Sequence, residues 1–203
     1  MKLHSILFAF LLATATPLLA ENGLLVAEPV ADEEEIPLAE ELPPLISEPL
    51  TSEAVIIQSI SKNGLGIIIG SITLSDSDKG LVIEPDLGSL TPGMHGIHIH
   101  ENFSCDPGEK DGEQIAGLAA GGHYDPWATS RHAGPHGNGH AGDLPALEVN
   151  DAGKTFKASI APHLKLEDIR FHALIIHENG DNYSDQPKPL GGGGSRVACG
   201  LIQ

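Results

Sequence analysis

From residue 55 onward the apolar residues of this chain come in short runs, at 55–60, 67–74, 81–83, 97–99, 147–149, 155–160, 169–177 and 196–202. Turn signals stand between them, notably Asn63-Gly64, Asp78-Lys79-Gly80, Thr91-Pro92-Gly93 and Asn150-Asp151-Ala152-Gly153. Such residues punctuate strands because they supply the positive or fixed φ that tight turns need. No segment carries a helical period of convincing length. Seven or eight short strands with regular turns predict an all-β fold, an antiparallel sandwich or barrel. Two segments break the pattern: residues 101–143, rich in Gly, Pro, His and Asp, and residues 178–195, which include four consecutive glycines at 191–194. Loops this long are uncommon in a compact domain unless they are functional or held by something.

The histidines suggest what holds them. There are eleven, and all but His4 lie between positions 95 and 177. In His98-Ile99-His100 the side chains at i and i+2 of a strand share one face, so both imidazoles can reach one ion while Ile97 and Ile99 enter the core. By the same parity His95 faces away from His98, which predicts a hydrogen-bonded structural role rather than ligation. A second cluster comprises His123, His132, His136, His140 and Asp143, all within one loop. Three imidazoles and a carboxylate make a tetrahedral zinc set without a thiolate, and a bound ion would supply the enthalpy to order a loop with little apolar content. Four-coordinate zinc leaves one histidine over among His132, His136 and His140. His177, which ends the run Ala173-Leu174-Ile175-Ile176, is by itself an ordinary strand-end residue.

The chain has 203 residues, which suits one domain with attachments. Lys2, the apolar run 6–12, Pro17 and Ala20 have the layout of a secretory signal peptide over residues 1–20, too short to span a bilayer. Residues 21–53 hold ten acidic and no basic residues interleaved with prolines, and so predict a disordered arm. Residues 54–203 carry a net charge of -8, which excludes a nucleic-acid-binding surface as the default, and nothing beyond the signal argues for a membrane. An exported chain with Cys105 and Cys199 is permitted a disulfide, worth about 4.7 kcal/mol for a loop of this size in the chain-entropy model.

Taken in order, Gly93-Met94-His95-Gly96-Ile97-His98-Ile99-His100-Glu101, Gly122-His123-Tyr124-Asp125-Pro126, Gly139-His140-Ala141-Gly142-Asp143-Leu144 and Gly194-Ser195-Arg196-Val197-Ala198-Cys199-Gly200 resemble the copper/zinc superoxide dismutases. Residues 102–112 and Gly180-Asp181-Asn182-Tyr183-Ser184-Asp185 are similar to the exported bacterial branch, and the resemblance covers residues 54–203. It implies an eight-stranded antiparallel Greek-key β-barrel or sandwich with two long functional loops. It also implies one copper per chain on His98, His100, His123 and His177, and one zinc on His123, His132, His140 and Asp143, with His123 bridging; His136 departs from the family pattern and is expected to be a spectator, its replacing His132 or His140 being the alternative. Asp181 would accept hydrogen bonds from His98 and His132. Arg196 would orient the superoxide anion, Lys110 would steer it, and Cys105 and Cys199 would form the disulfide.

The activity implied is dismutation of superoxide to oxygen and hydrogen peroxide through alternating Cu(II) and Cu(I), with His123 taking and returning a proton, in the periplasm or outside the cell. The sequence leaves the oligomeric state open, a homodimer included. The nearest alternative is a copper- and zinc-buffering protein on the same fold, for which Arg196 and Asp181 would be superfluous. A mononuclear zinc hydrolase leaves His98, His100 and His177 unexplained, and an adhesive sandwich explains none of the histidines.

Overall fold

The structure is a computed structural model that describes residues 51–203. The signal peptide expected over residues 1–20 and the acidic arm as far as residue 50 lie outside the described residues.

Among the described residues eleven strands follow one another: β1 (Ser52–Ser61), β2 (Gly64–Ser77), β3 (Gly80–Leu87), β4 (Gly93–His95), β5 (Ile97–His100), β6 (Gly108–Lys110), β7 (Glu113–Ile115), β8 (Leu147–Val149), β9 (Ser159–Ala161), β10 (Ala173–His177) and β11 (Arg196–Leu201). Among the described residues helix is limited to three 3-10 turns. Seven strands form one antiparallel sheet in the order β5-β10-β11-β1-β2-β3-β9, and β4 pairs with β8. β4 and β5 are one strand interrupted at Gly96, so eight strands build the barrel once the hairpin β6–β7 is set aside. The sheet curls until Thr155 ties its β3 side to β8: Thr155 bridges Val149, donates its N–H to the Leu87 carbonyl, and accepts the Leu87 N–H on Oγ1. β1, β2 and β3 are joined as hairpins, whereas the chain crosses from β3 to the β4–β5 strand, which pairs with β10.

Alternation along the strands fills the interior. Val55, Ile57, Ile72, Leu74, Leu81, Ile83, Ile97, Ile99, Leu174 and Ile176 form the main apolar core. β10 is buried on both faces, which is why its apolar run is continuous rather than alternating. Leu174 and Ile176 point into the barrel, while Ala173 and Ile175 pack outside it with Ile60, Ala120 and the disulfide. That second cluster anchors the first long loop to the barrel wall.

Several boundaries differ from the sequence reading. Ser52 and Glu53, counted with the acidic arm, belong to β1 and pair with Ser75 and Leu74. The run 155–160 yields only β9 and the Thr155 bridge. The run 169–177 becomes a strand only from Ala173, because Leu166–Ile169 is a 3-10 turn whose Asp168 carboxylate caps the Lys165 N–H. Within the first long loop, Asp111 and Gly112 take φ values of 55 and 81 and turn the hairpin β6–β7, a signal visible in the Asp-Gly pair.

Cys105 and Cys199 are bonded, with Cα atoms 5.8 Å apart and a separation of 94 positions in sequence. The bond ties the loop to β11 and closes most of the described chain. Replacing both cysteines by serine is expected to lower unfolding free energy by about 2–5 kcal/mol in denaturant titrations. An unchanged transition would show that the apolar cluster alone holds the loop.

Candidate metal centre

The site lies on the outer face of β5 and β10. In the register His98 opposes Ile175 and His100 opposes Ala173, so the two imidazoles and His177 emerge away from the core. The free edge of β5 is covered by the first long loop: Ile99 N–H donates to Gly142 O, and Tyr124 N–H donates to Ile99 O. This places His123 beside His100 and Asp143 beside His98 as isolated bridges. Residues far apart in sequence thus become neighbours through backbone pairing that the loop's glycines permit. A Cβ at Gly142 would collide with the Ile99 carbonyl.

Two donor groups result. His98, His100, His123 and His177 are buried and bring one ligand atom each within 4.8 Å of the others. The nitrogen of each ring that faces away from the group is anchored. His98 Nε2–H donates to Asp181 Oδ2 (2.8 Å), His100 Nδ1–H to Gly121 O (3.0 Å) and His177 Nδ1–H to Gly194 O (3.3 Å). The remaining nitrogens, His98 Nδ1, His100 Nε2 and His177 Nε2, are buried without a hydrogen-bond partner. Unpartnered buried nitrogens are costly, and a metal ion is the partner that would satisfy them together.

The second group gathers on Asp143 Oδ1, which lies 3.1 Å from His123 Nδ1, 2.9 Å from His132 Nδ1 and 3.2 Å from His140 Nδ1. The edge of a tetrahedron around zinc with ligands at about 2.0–2.1 Å is about 3.3 Å, and the three spacings from Asp143 are close to it. His132 Nδ1 is in no hydrogen-bonding orientation there. The donors that lie within 4.8 Å of one another here are His98, His123, His132 and Asp143, so His140 stands outside that set and joins it through Asp143, while His98 gives its Nε2 to Asp181. Asp143 Oδ2 accepts from the backbone N–H groups of Ala133 and Gly134, and Asp181 Oδ1 accepts from His132 Nε2–H (2.8 Å) and Tyr183 N–H (2.7 Å). His123 therefore turns Nδ1 to the second group and lies with the first. Six histidines and a carboxylate, with both cysteines bonded to each other, are donors that suit Cu(II) and Zn(II).

Arg196 leaves β11 opposite His177 and donates to the carbonyls of Gly117 and Gly121. It lines a cavity of about 200 Å³ together with His100, His123 and His177. Lys110 is exposed on β6 and does not line that cavity. His136 is exposed and belongs to neither group, whereas His95 is buried, its Nδ1 2.6 Å from the His177 carbonyl oxygen and its Nε2 2.8 Å from that of Thr91. Sequence reading missed Asp185, which accepts the His132 and Leu190 N–H groups, and Glu101, which accepts that of Gly122. Both partners are distant in sequence and leave no local signal.

Fold and donors together define a β-barrel metalloprotein with two adjoining histidine-rich sites. Residues 68–202 match the family described as copper/zinc superoxide dismutase. The chain is 55% identical over 153 residues, 75% of its length, to a superoxide dismutase [Cu-Zn] of Escherichia coli K12, spanning 88% of that protein. It is 53% identical over 141 residues to that of Brucella abortus, covering 69% of this chain and 82% of the relative. The solved Cu/Zn superoxide dismutase from Brucella abortus superposes with a TM-score of 0.74 at 50% identity, covering 75% of this chain and 99% of that one. A monomeric enzyme from Salmonella enterica superposes with a TM-score of 0.68, also at 50% identity, covering 75% of this chain and 99% of that one. The chain belongs to the copper/zinc superoxide dismutase family.

Electrostatics divide the two groups. Burial pushes His98 down to about 3 and His177 to about 4, and it also lowers His100 and His123. Burial opposes charge on His132 too, but the Asp143 carboxylate close to its Nδ1 and the Asp181 carboxylate that accepts from its Nε2 outweigh it and lift the group to about 9. Both carboxylates are held far below their usual range, against their burial, by these imidazoles. Without metal, the depressed histidines take up protons on unfolding below pH 6.5. Stability then falls as pH drops from 6.5 toward 4, by about 3 kcal/mol for His177 alone. The contribution of His132 is complete below 6.5 and is lost as pH rises through about 9. Metal-free protein is expected to be most stable near pH 6.5 in denaturant titrations across pH. A monotonic rise from pH 4 to 9 would contradict this account.

Proposed function

We propose that this protein disproportionates superoxide: two superoxide anions and two protons give oxygen and hydrogen peroxide. The observation that carries the reading is the set of unpartnered ring nitrogens on His98, His100 and His177, aimed together beside a cavity that Arg196 lines. Copper would be held by these three and His123, and zinc by His123, His132, His140 and Asp143. When bound, copper would supply a one-electron couple, and zinc, which has no accessible redox change, would order the loop that carries its ligands.

The protein's own groups do the rest. Two of the Arg196 donors are spent on Gly117 and Gly121, which hold the guanidinium plane at the cavity wall and leave its charge to draw in and orient a small anion. His123, anchored through Nδ1, offers Nε2 as the atom that takes a proton and returns it. Asp181 joins the two groups by holding His98 and His132 in fixed tautomers. Lys110, exposed on a hairpin of the loop that also carries Gly117 and Gly121, adds positive field on an otherwise acidic domain.

All of these residues come from one chain, so activity needs no second copy, although a homodimer is compatible with the reading. The disulfide and the signal-like residues 1–20 support export, to the periplasm or beyond it.

The test is superoxide decay by the purified protein before and after chelation, with copper and zinc counted. One of each metal per chain is expected, with activity lost on chelation and falling as ionic strength rises. Arg196→Glu is expected to cost at least about tenfold in rate, about 1.4 kcal/mol of transition-state stabilisation. Both metals bound without superoxide decay would favour the buffering protein instead.

A further inference from the structure

Two exposed histidines, His136 and His163, take no part in either donor group. His163 lines a cavity of about 350 Å³ with Trp127, Asn138 and the zinc-side residues His140 and Asp143. Pro135 and Gly137, which flank His136, line it as well. This cavity shares no lining residue with the one bounded by His100, His123, His177 and Arg196. Of the zinc-side side chains, His123 is 2% exposed and His132 and Asp143 are 0%, whereas His140 is 9% exposed. The second group thus meets solvent chiefly through His140. The stretch that borders this opening, Gly137-Asn138-Gly139, is folded tightly on Ala133 and Arg131: a Cβ at either glycine would collide with their backbone. Its small residues leave the space over His140 open. Behind it lies His132 Nδ1, buried and without a hydrogen-bond partner.

We infer that this cavity is the route by which zinc reaches and leaves its site, with His163 and His136 as the imidazoles that first capture the ion and pass it to His140. The inference rests on the assignment of zinc to His123, His132, His140 and Asp143. Exposed imidazoles suit the task because zinc accepts nitrogen ligands readily and has no redox change. The hydrated ion exchanges water for imidazole one ligand at a time, and no electron changes hands. Copper and zinc would then load through separate openings on the two sides of His123.

The full chain with both metals bound is incubated with isotopically enriched zinc, and the bound isotope is followed by native mass spectrometry. Asn138→Trp, which fills the cavity from an exposed position, is expected to slow zinc exchange by about tenfold, an added barrier of about 1.4 kcal/mol. Copper exchange should stay as in the parent protein. The double variant His136→Ala/His163→Ala should slow zinc exchange while leaving equilibrium zinc content unchanged, and it decides the matter alone if Asn138→Trp does not fold. Zinc exchange unaltered in both variants would overturn the route, as would equal slowing of copper and zinc by Asn138→Trp. Slowing by Asn138→Trp alone would overturn the capture role of the two histidines. A parent protein that holds no zinc would refute the zinc assignment itself, a result distinct from all of these.

Discussion

The carboxylate of Asp181 is wholly buried, yet it accepts hydrogen bonds from two imidazoles, His98 of β5 and His132 of the first long loop, each at 2.8 Å. A buried anion without partners would cost several kcal/mol, so its position requires both donors. It therefore fixes three segments against one another: the barrel wall, the loop that carries His123 to Asp143, and the loop that begins after β10. Because each imidazole gives Nε2 to Asp181, each must present Nδ1 elsewhere. For His98 that nitrogen turns toward His100 and His177, and for His132 it turns toward Asp143. One carboxylate orients one imidazole in each donor group.

Around this constraint the fold separates two tasks. The apolar core is made chiefly by the inward faces of the barrel strands, to which the connecting segments add Ala141, Leu144, Leu164, Leu166 and Ile169. The loops are polar and glycine-rich, and they gain order from three long-range ties: pairing along β5, the bond between Cys105 and Cys199, and the carboxylates Asp143 and Asp181. Without metal, several ring nitrogens at their meeting point stay unsatisfied and neutral at a cost in stability. The protein thus holds a donor geometry at the expense of its own metal-free stability. A site that must accept an ion without rearranging is built this way.

Much of this was legible in the sequence because it depends on local period. Two-residue alternation placed His98 and His100 on one face and Ile97 and Ile99 in the core, and turn residues delimited most barrel strands. The capped turn at Leu166–Ile169 and the short β9 were not legible, since a run of apolar residues does not say where pairing stops. The relation of His132 to His136 was harder still. They sit four residues apart in the same polar loop, and Asp181 and Asp185, about fifty residues on, help to distinguish them by holding the side chain and the N–H of His132. Gly134, at φ 68, turns the chain after His132 and leaves His136 outside. Family resemblance supplied the assignment that local pattern lacked.

The central claim is that one imidazole, His123, stands between two different metals. Its most direct test is a crystal structure of the metal-loaded protein with anomalous data collected at the copper and zinc absorption edges. The account predicts a copper peak among His98 Nδ1, His100 Nε2, His123 Nε2 and His177 Nε2. It predicts a zinc peak among the Nδ1 atoms of His123, His132 and His140 and Asp143 Oδ1. Zinc bound by His136, or a His123 ring that touches only one of the two ions, would contradict it.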